Sequence, residues 1–94
     1  MNAQTTIKQI GRKALVMIGA KSFVSLKDEL TFRIGRNPKR ITHIRIKLND
    51  LDLYDMAFYQ IRKGKVNPGK EIKNVYCDQL CQIIENETKL LTSL

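Results

Sequence analysis

The plainest signal along the chain is the alternation of apolar and polar residues between Leu30 and Arg62. In Leu30-Thr31-Phe32-Arg33-Ile34, residues Leu30, Phe32 and Ile34 share one face while Thr31 and Arg33 share the other, as the two-residue period of a strand requires. Thr42 to Leu48 repeats the pattern, with Ile44, Ile46 and Leu48 inward and His43, Arg45 and Lys47 outward. Leu53 to Arg62 is a further strand with Tyr54, Met56 and Phe58 on its inner face. Its other face carries Asp55, Ala57 and Tyr59 with Leu53 and Ile61, so it is only partly polar. Ala14 to Ile18 is a short apolar run that suits a central strand. Ser22 to Leu26 continues that strand past a bend at Gly19 or forms one of its own. Lys27-Asp28-Glu29, Gly35 to Arg40 and Asn49-Asp50 supply the polar, Gly and Pro residues that turns need.

Helical spacing appears at both ends. Thr5 and Thr6 precede Ile7 and Ile10, and Gly11 follows, which reads as a short helix with a Thr cap and a Gly stop. Met1 to Gln4 reads as frayed. Near the C-terminus, Cys77, Leu80, Cys81, Ile84 and Leu91 form one stripe with Tyr76, Ile83 and Leu90 beside it, and Asn74 is placed to cap a helix running to about Leu91. Residues 63–73, with Gly64, Pro68 and Gly69, read as an exposed basic loop. Consecutive strands joined by short turns form a meander. The expected fold is therefore α+β: a short N-terminal helix, a three- to four-stranded antiparallel meander, and a C-terminal amphipathic helix packed on one sheet face, all in one domain over residues 1–94.

Composition sharpens the picture. The 94 residues leave room for one core, and 43% hydrophobic with 28% charged residues excludes a wholly disordered chain. The apolar runs are too short to span a bilayer and no signal-peptide pattern is visible at the start, so no membrane partner is expected, and two unpaired thiols fit a reducing compartment. Seventeen Lys and Arg against nine Asp and Glu give a net charge of +8. The excess is uneven, at +10 over residues 1–70 and −2 over residues 71–94. From Arg33 to Lys47 the chain holds Arg33, Arg36, Lys39, Arg40, Arg45 and Lys47 with no acid, and from Arg62 to Lys73 it holds Arg62, Lys63, Lys65, Lys70 and Lys73 against Glu71. Such an excess attracts polyanions.

Catalytic motifs are missing: no Gly-rich phosphate loop, no nucleophile elbow and no paired-His zinc motif is present. His43 is a lone histidine on an outward strand face. Asp50, Asp52 and Asp55 read as turn formers, since their spacing matches no calcium loop. Cys77 and Cys81 read as two buried thiols on one helix face, poorly placed for a disulfide. The expectation is a protein that is not an enzyme and uses no cofactor or metal. A sheet face carrying Arg33, Arg45 and Lys47, flanked by cationic loops, can follow a phosphate backbone, and an exposed aromatic can stack a base. The residues expected to bind nucleic acid are Arg33, Arg36, Lys39, Arg40, Arg45, Lys47, Tyr59, Arg62, Lys63 and Lys65.

Four stretches, Thr6 to Gly11, Met17 to Val24, Leu51 to Phe58, and Val75 to Leu80 with Leu91 to Leu94, together resemble a group of small proteins of bacteriophages and other mobile elements. The resemblance carries no activity; it implies a phage or mobile-element origin and action in a bacterial cytoplasm. The order of strands and a final helix is also similar to that of single-stranded DNA-binding proteins of the positive-cofactor-four type, an analogy of topology. The leading expectation is a small basic nucleic-acid-binding protein. The alternative is an accessory or inhibitor whose basic face covers the acidic surface of a host protein. Either could form a homodimer through open sheet edges or through Ile83 and Leu90.

Overall fold

The alternating segments pair in the order in which they occur. The computed structural model describes residues 3–92. Among them are helices α1 (Ala3–Ile10) and α2 (Arg12–Met17), then strands β1 (Lys21–Leu26), β2 (Glu29–Arg33), β3 (His43–Leu48), β4 (Tyr54–Arg62) and β5 (Lys65–Val75). A 3₁₀ turn, Cys77–Gln79, leads into helix α3 (Leu80–Thr88). The strands form one antiparallel meander in the order β1-β2-β3-β4-β5. Register across its centre is regular: Phe32 faces Ile44, which faces Phe58, and Leu30 faces Ile46, which faces Met56.

Those six side chains lie on one sheet face and are at most 1% exposed. The helices cover them with Ile10, Ala14, Leu15, Ile18, Leu80 and Ile84. Each large apolar side chain buried in this way contributes roughly 1.5–3 kcal/mol before chain entropy is subtracted. Tyr54 ties the sheet to α1 by hydrogen bonds as well. Its hydroxyl donates to Gln9 Oε1 at 2.6 Å, leaving its oxygen to accept from the buried Thr6 hydroxyl at 3.3 Å.

The α+β meander under a C-terminal helix is as expected, with five strands rather than three or four. Ala14 to Ile18 is a helix and turn, not a strand. Ala14, Leu15 and Ile18 are buried while Val16 is 78% exposed, a spacing of one and four that belongs to a helix. A run of five apolar residues cannot by itself distinguish the two. Gly11, at φ +97°, separates α1 from α2 in a conformation that other residues rarely adopt. Helix α1 begins at Ala3, ahead of the Thr cap, and Thr6 is spent inside the core; of the segment read as frayed, Ala3 and Gln4 are helical and Met1 and Asn2 lie outside the described residues.

Residues 63–73 are not a loop. They turn at Lys63 and Gly64, φ +52° and +77°, and return as the eleven-residue edge strand β5. Two consecutive positive φ values match the twist of a tight hairpin. Pro68 is tolerated because β5 is an edge, where a missing N–H costs no ladder bond. Asn74 does not cap the helix. It sits in β5 at φ +59°, its N–H donating to Asp55 Oδ1 at 3.2 Å and its Oδ1 accepting from Asn49 Nδ2 at 2.9 Å. The helix starts later, where the Tyr76 N–H donates to Gln79 Oε1, and stops at Lys89 in the left-handed region rather than near Leu91. Leu80, Ile84 and Thr88 form its buried stripe, and Ile83 and Leu90 are partly buried against the core. Cys77 is exposed, and Cys81 is half-buried with its thiol donating to the Ile10 carbonyl at 3.1 Å.

Candidate nucleic-acid interface

The helices cover one face of the sheet and leave the other open. Cross-strand pairing arranges the open face in rows. The first row is Leu26, Glu29, Lys47 and Asp55; the second is Val24, Thr31, Arg45, Ala57 and Glu71; the third is Lys21, Arg33, His43, Tyr59 and Pro68; the last is Ile61 and Val66. Lys47 thus lies directly between two carboxylates, and Arg45 has Glu71 one strand beyond Ala57. The expected all-cationic sheet face is corrected at this end. Glu29, Asp55 and Glu71 lie outside the acid-free segment, on β2, β4 and β5, and strand register carries them onto the same face as Arg45 and Lys47.

The acid-free end begins at Arg33, roughly 13 Å along β2 from Glu29. Here Arg33, Arg36 and Arg40 line a cleft of about 300 Å³ with Gln60. Its wall is the segment Gly35 to Thr42, and the residue that shapes it is Asn37, only 7% exposed. Asn37 Nδ2 donates to the carbonyls of Gly35 (3.0 Å) and Ile41 (2.6 Å), and its Oδ1 accepts the Ile41 N–H at 3.1 Å. The Arg40 N–H closes a turn onto the Asn37 carbonyl at 3.1 Å, placing Lys39 exposed at that turn. One buried amide therefore holds the backbone between two exposed arginines.

Thr42 fastens this loop to the neighbouring strands. Its N–H donates to the Tyr59 carbonyl at 3.0 Å, its carbonyl accepts from Ile34 at 2.9 Å, and its hydroxyl oxygen accepts the Ile61 N–H at 2.8 Å. The same hydroxyl lies 2.6 Å from His43 Nδ1 and can donate to it when the imidazole is neutral. Burial, and secondly the charge of Arg33, lower the His43 pKa, in keeping with that neutral form. The His43 ring stacks on Tyr59 with centroids 5.4 Å apart and planes 17° apart. Beyond Tyr59 the β4–β5 hairpin presents Arg62, Lys63 and Lys65, all exposed around the Lys63-Gly64 turn.

The fold therefore gathers Arg33, Arg36, Lys39, Arg40, Arg62, Lys63, Lys65 and Tyr59 at one end and sets Arg45 and Lys47 among acids at the other. Asn37 and Gln60 escaped the sequence reading. Asn37 had a signal, an Asn before Pro in a Gly-containing loop; Gln60 had none. A second cleft, of about 340 Å³, runs along the open face between Arg45, Ala57 and Tyr59 and the edge residues Ile61, Val66, Pro68 and Glu71. Compared with models of known protein families, with curated proteins and with solved structures, the chain matches none of them.

Proposed function

We propose that the protein binds single-stranded nucleic acid along the loop end of its open sheet face. The observation that supports this reading is the acid-free cleft of Arg33, Arg36 and Arg40 beside the stacked rings of His43 and Tyr59. Guanidinium groups neutralise successive phosphates and release their counterions, while an aromatic surface on a sheet accepts an unstacked base. Arg62, Lys63 and Lys65 on the hairpin extend the cationic track. An exposed aromatic surface favours separated bases over a closed duplex, whose base faces are already occupied.

Fluorescence anisotropy with short labelled oligonucleotides over a salt series tests this. Five phosphate contacts would lower log affinity by about 3.5 for each tenfold rise in salt, at roughly 0.7 per contact on a single strand. Reversing Arg36, Lys39 and Arg40 to Glu should weaken binding strongly while leaving the melting transition in place, because all three are exposed. No binding at low salt, or binding indifferent to salt, overturns the reading. Retention of an acidic protein from a nuclease-treated lysate without oligonucleotide binding would replace it with the accessory-protein reading.

A further inference from the structure

We infer that the cleft over Ala57 is a nucleobase subsite selective for guanine; the inference rests on the single-strand reading above. Its geometry comes from the row Arg45, Ala57, Glu71. Ala57 offers one methyl group as a floor, and the long side chains flanking it stand two strand spacings apart, roughly 9.5 Å between backbones. Tyr59, Ile61, Val66 and Pro68 make an apolar wall, and the volume of about 340 Å³ lies within the range of small-ligand sites. Gly69 lets β5 approach closely enough to complete that wall: a Cβ there would collide with the Phe58 carbonyl oxygen. The cleft thus has an apolar side for a base and three charged residues in its lining; Lys70 is engaged by Glu87, its Nζ 3.7 Å from Oε2, which leaves Arg45 and Glu71 to meet the edges of a base.

The two charged groups are chemically opposite. An arginine guanidinium offers only donors, in a fixed fork, and an ionised glutamate offers only acceptors. Guanine carries two adjacent acceptors, O6 and N7, and on the neighbouring edge two adjacent N–H donors, N1 and N2. It can satisfy Arg45 and Glu71 in bidentate fashion together. Adenine places its N6 donor beside N7 and so faces the guanidinium with the wrong group. Cytosine presents Glu71 with the single amino group at N4, and thymine or uracil with one ring N–H between two carbonyls. A carboxylate on a surface that follows phosphates weakens general binding, so Glu71 opposes the cationic track unless it accepts from a base. Lys73 Nζ lies 3.8 Å from Glu71 Oε1, and both side chains are more than half exposed. An exposed ion pair of this kind is weak and gives way to a ligand.

The test uses the full chain and labelled oligo-dT of about ten nucleotides, with strands in which two central positions are changed to dG, dC or dA; two guanines are too few to fold on themselves. The dG strand should bind about tenfold tighter than the dT strand, as expected for one good bidentate base contact. Glu71→Gln should weaken binding of the dG strand and leave the dT strand unchanged or tighter, because a negative charge is removed. Arg45→Lys, which keeps the charge and loses the fork, should also erase the dG preference. Merely structural roles for these exposed residues would move all strands alike. Equal, salt-dependent binding of all four strands, or a dG preference that survives Glu71→Gln, overturns the guanine subsite and leaves the single-strand reading standing. No binding of any strand overturns both.

Discussion

Replacing Asn37 by Ala removes no charge and no apolar surface from the core, yet it should damage both stability and binding. The amide makes three hydrogen bonds to backbone groups of Gly35 and Ile41 and is 7% exposed. At about 1 kcal/mol net for each, with water replacing part of the loss in a surface loop, the cost is roughly 2–3 kcal/mol. A domain of this size is stable by about 5–15 kcal/mol, so the loss is a sizeable share. With a slope near 1.5 kcal/mol per molar urea, the unfolding midpoint should fall by roughly 1.3–2 M at unchanged slope. Asn37→Asp keeps the acceptor for Ile41 and loses both donors, so it should recover less than half of that loss. Amide exchange at Ile41 should quicken in the Ala variant, and oligonucleotide affinity should drop although every arginine remains. A midpoint shift below about 0.3 M with unchanged slope would show that these bonds contribute nothing beyond what water supplies, and would refute the account of the loop.

Other expectations follow from single sites. Gly69→Ala should destabilise by about 1–3 kcal/mol in a denaturant melt, because the added Cβ meets the Phe58 backbone, which cannot swing aside as a side chain could. His43 is held below its ordinary value of 6.5 by burial and by Arg33, so the unfolded chain takes up a proton at higher pH than the folded one. Its contribution to stability is therefore full above about 6.5 and is lost as pH falls toward the lower folded value; urea melts across this window should show that slope, and His43→Gln should flatten it. A thiol reagent should label the exposed Cys77 quickly and Cys81 slowly, since burial raises the Cys81 pKa and its thiol is bonded to the Ile10 carbonyl. Equal rates at both thiols in the folded protein would contradict the docking of α3 on α1.

Much of the fold is legible in local pattern. Strands β2 and β3 alternate cleanly and β4 keeps an apolar inner face, and their inward residues Leu30, Phe32, Ile44, Ile46, Met56 and Phe58 are among those the core encloses. The stripe Leu80 and Ile84 likewise identifies the covering helix. Where the residues carry no decisive period, pattern is silent. Ala14 to Ile18 is apolar throughout, so only its docking beneath the sheet makes it a helix. Strand β5 contains Pro68, Gly69 and many cations, and it is a strand because the Lys63-Gly64 turn delivers it to the free edge of β4.

The candidate site divides in the same way. The sequence by itself determined which side chains of β2, β3 and β4 face outward and that the segment from Arg33 to Lys47 contains no acid. Only the tertiary structure decided what stands beside them: Lys47 between Glu29 and Asp55, Glu71 across Ala57 from Arg45, and Arg33, Arg36 and Arg40 alone around their cleft. The physical reason is that the face of a strand residue follows from a period of two within one segment, whereas its neighbours depend on register between segments far apart in the chain, which core packing and turn geometry set together.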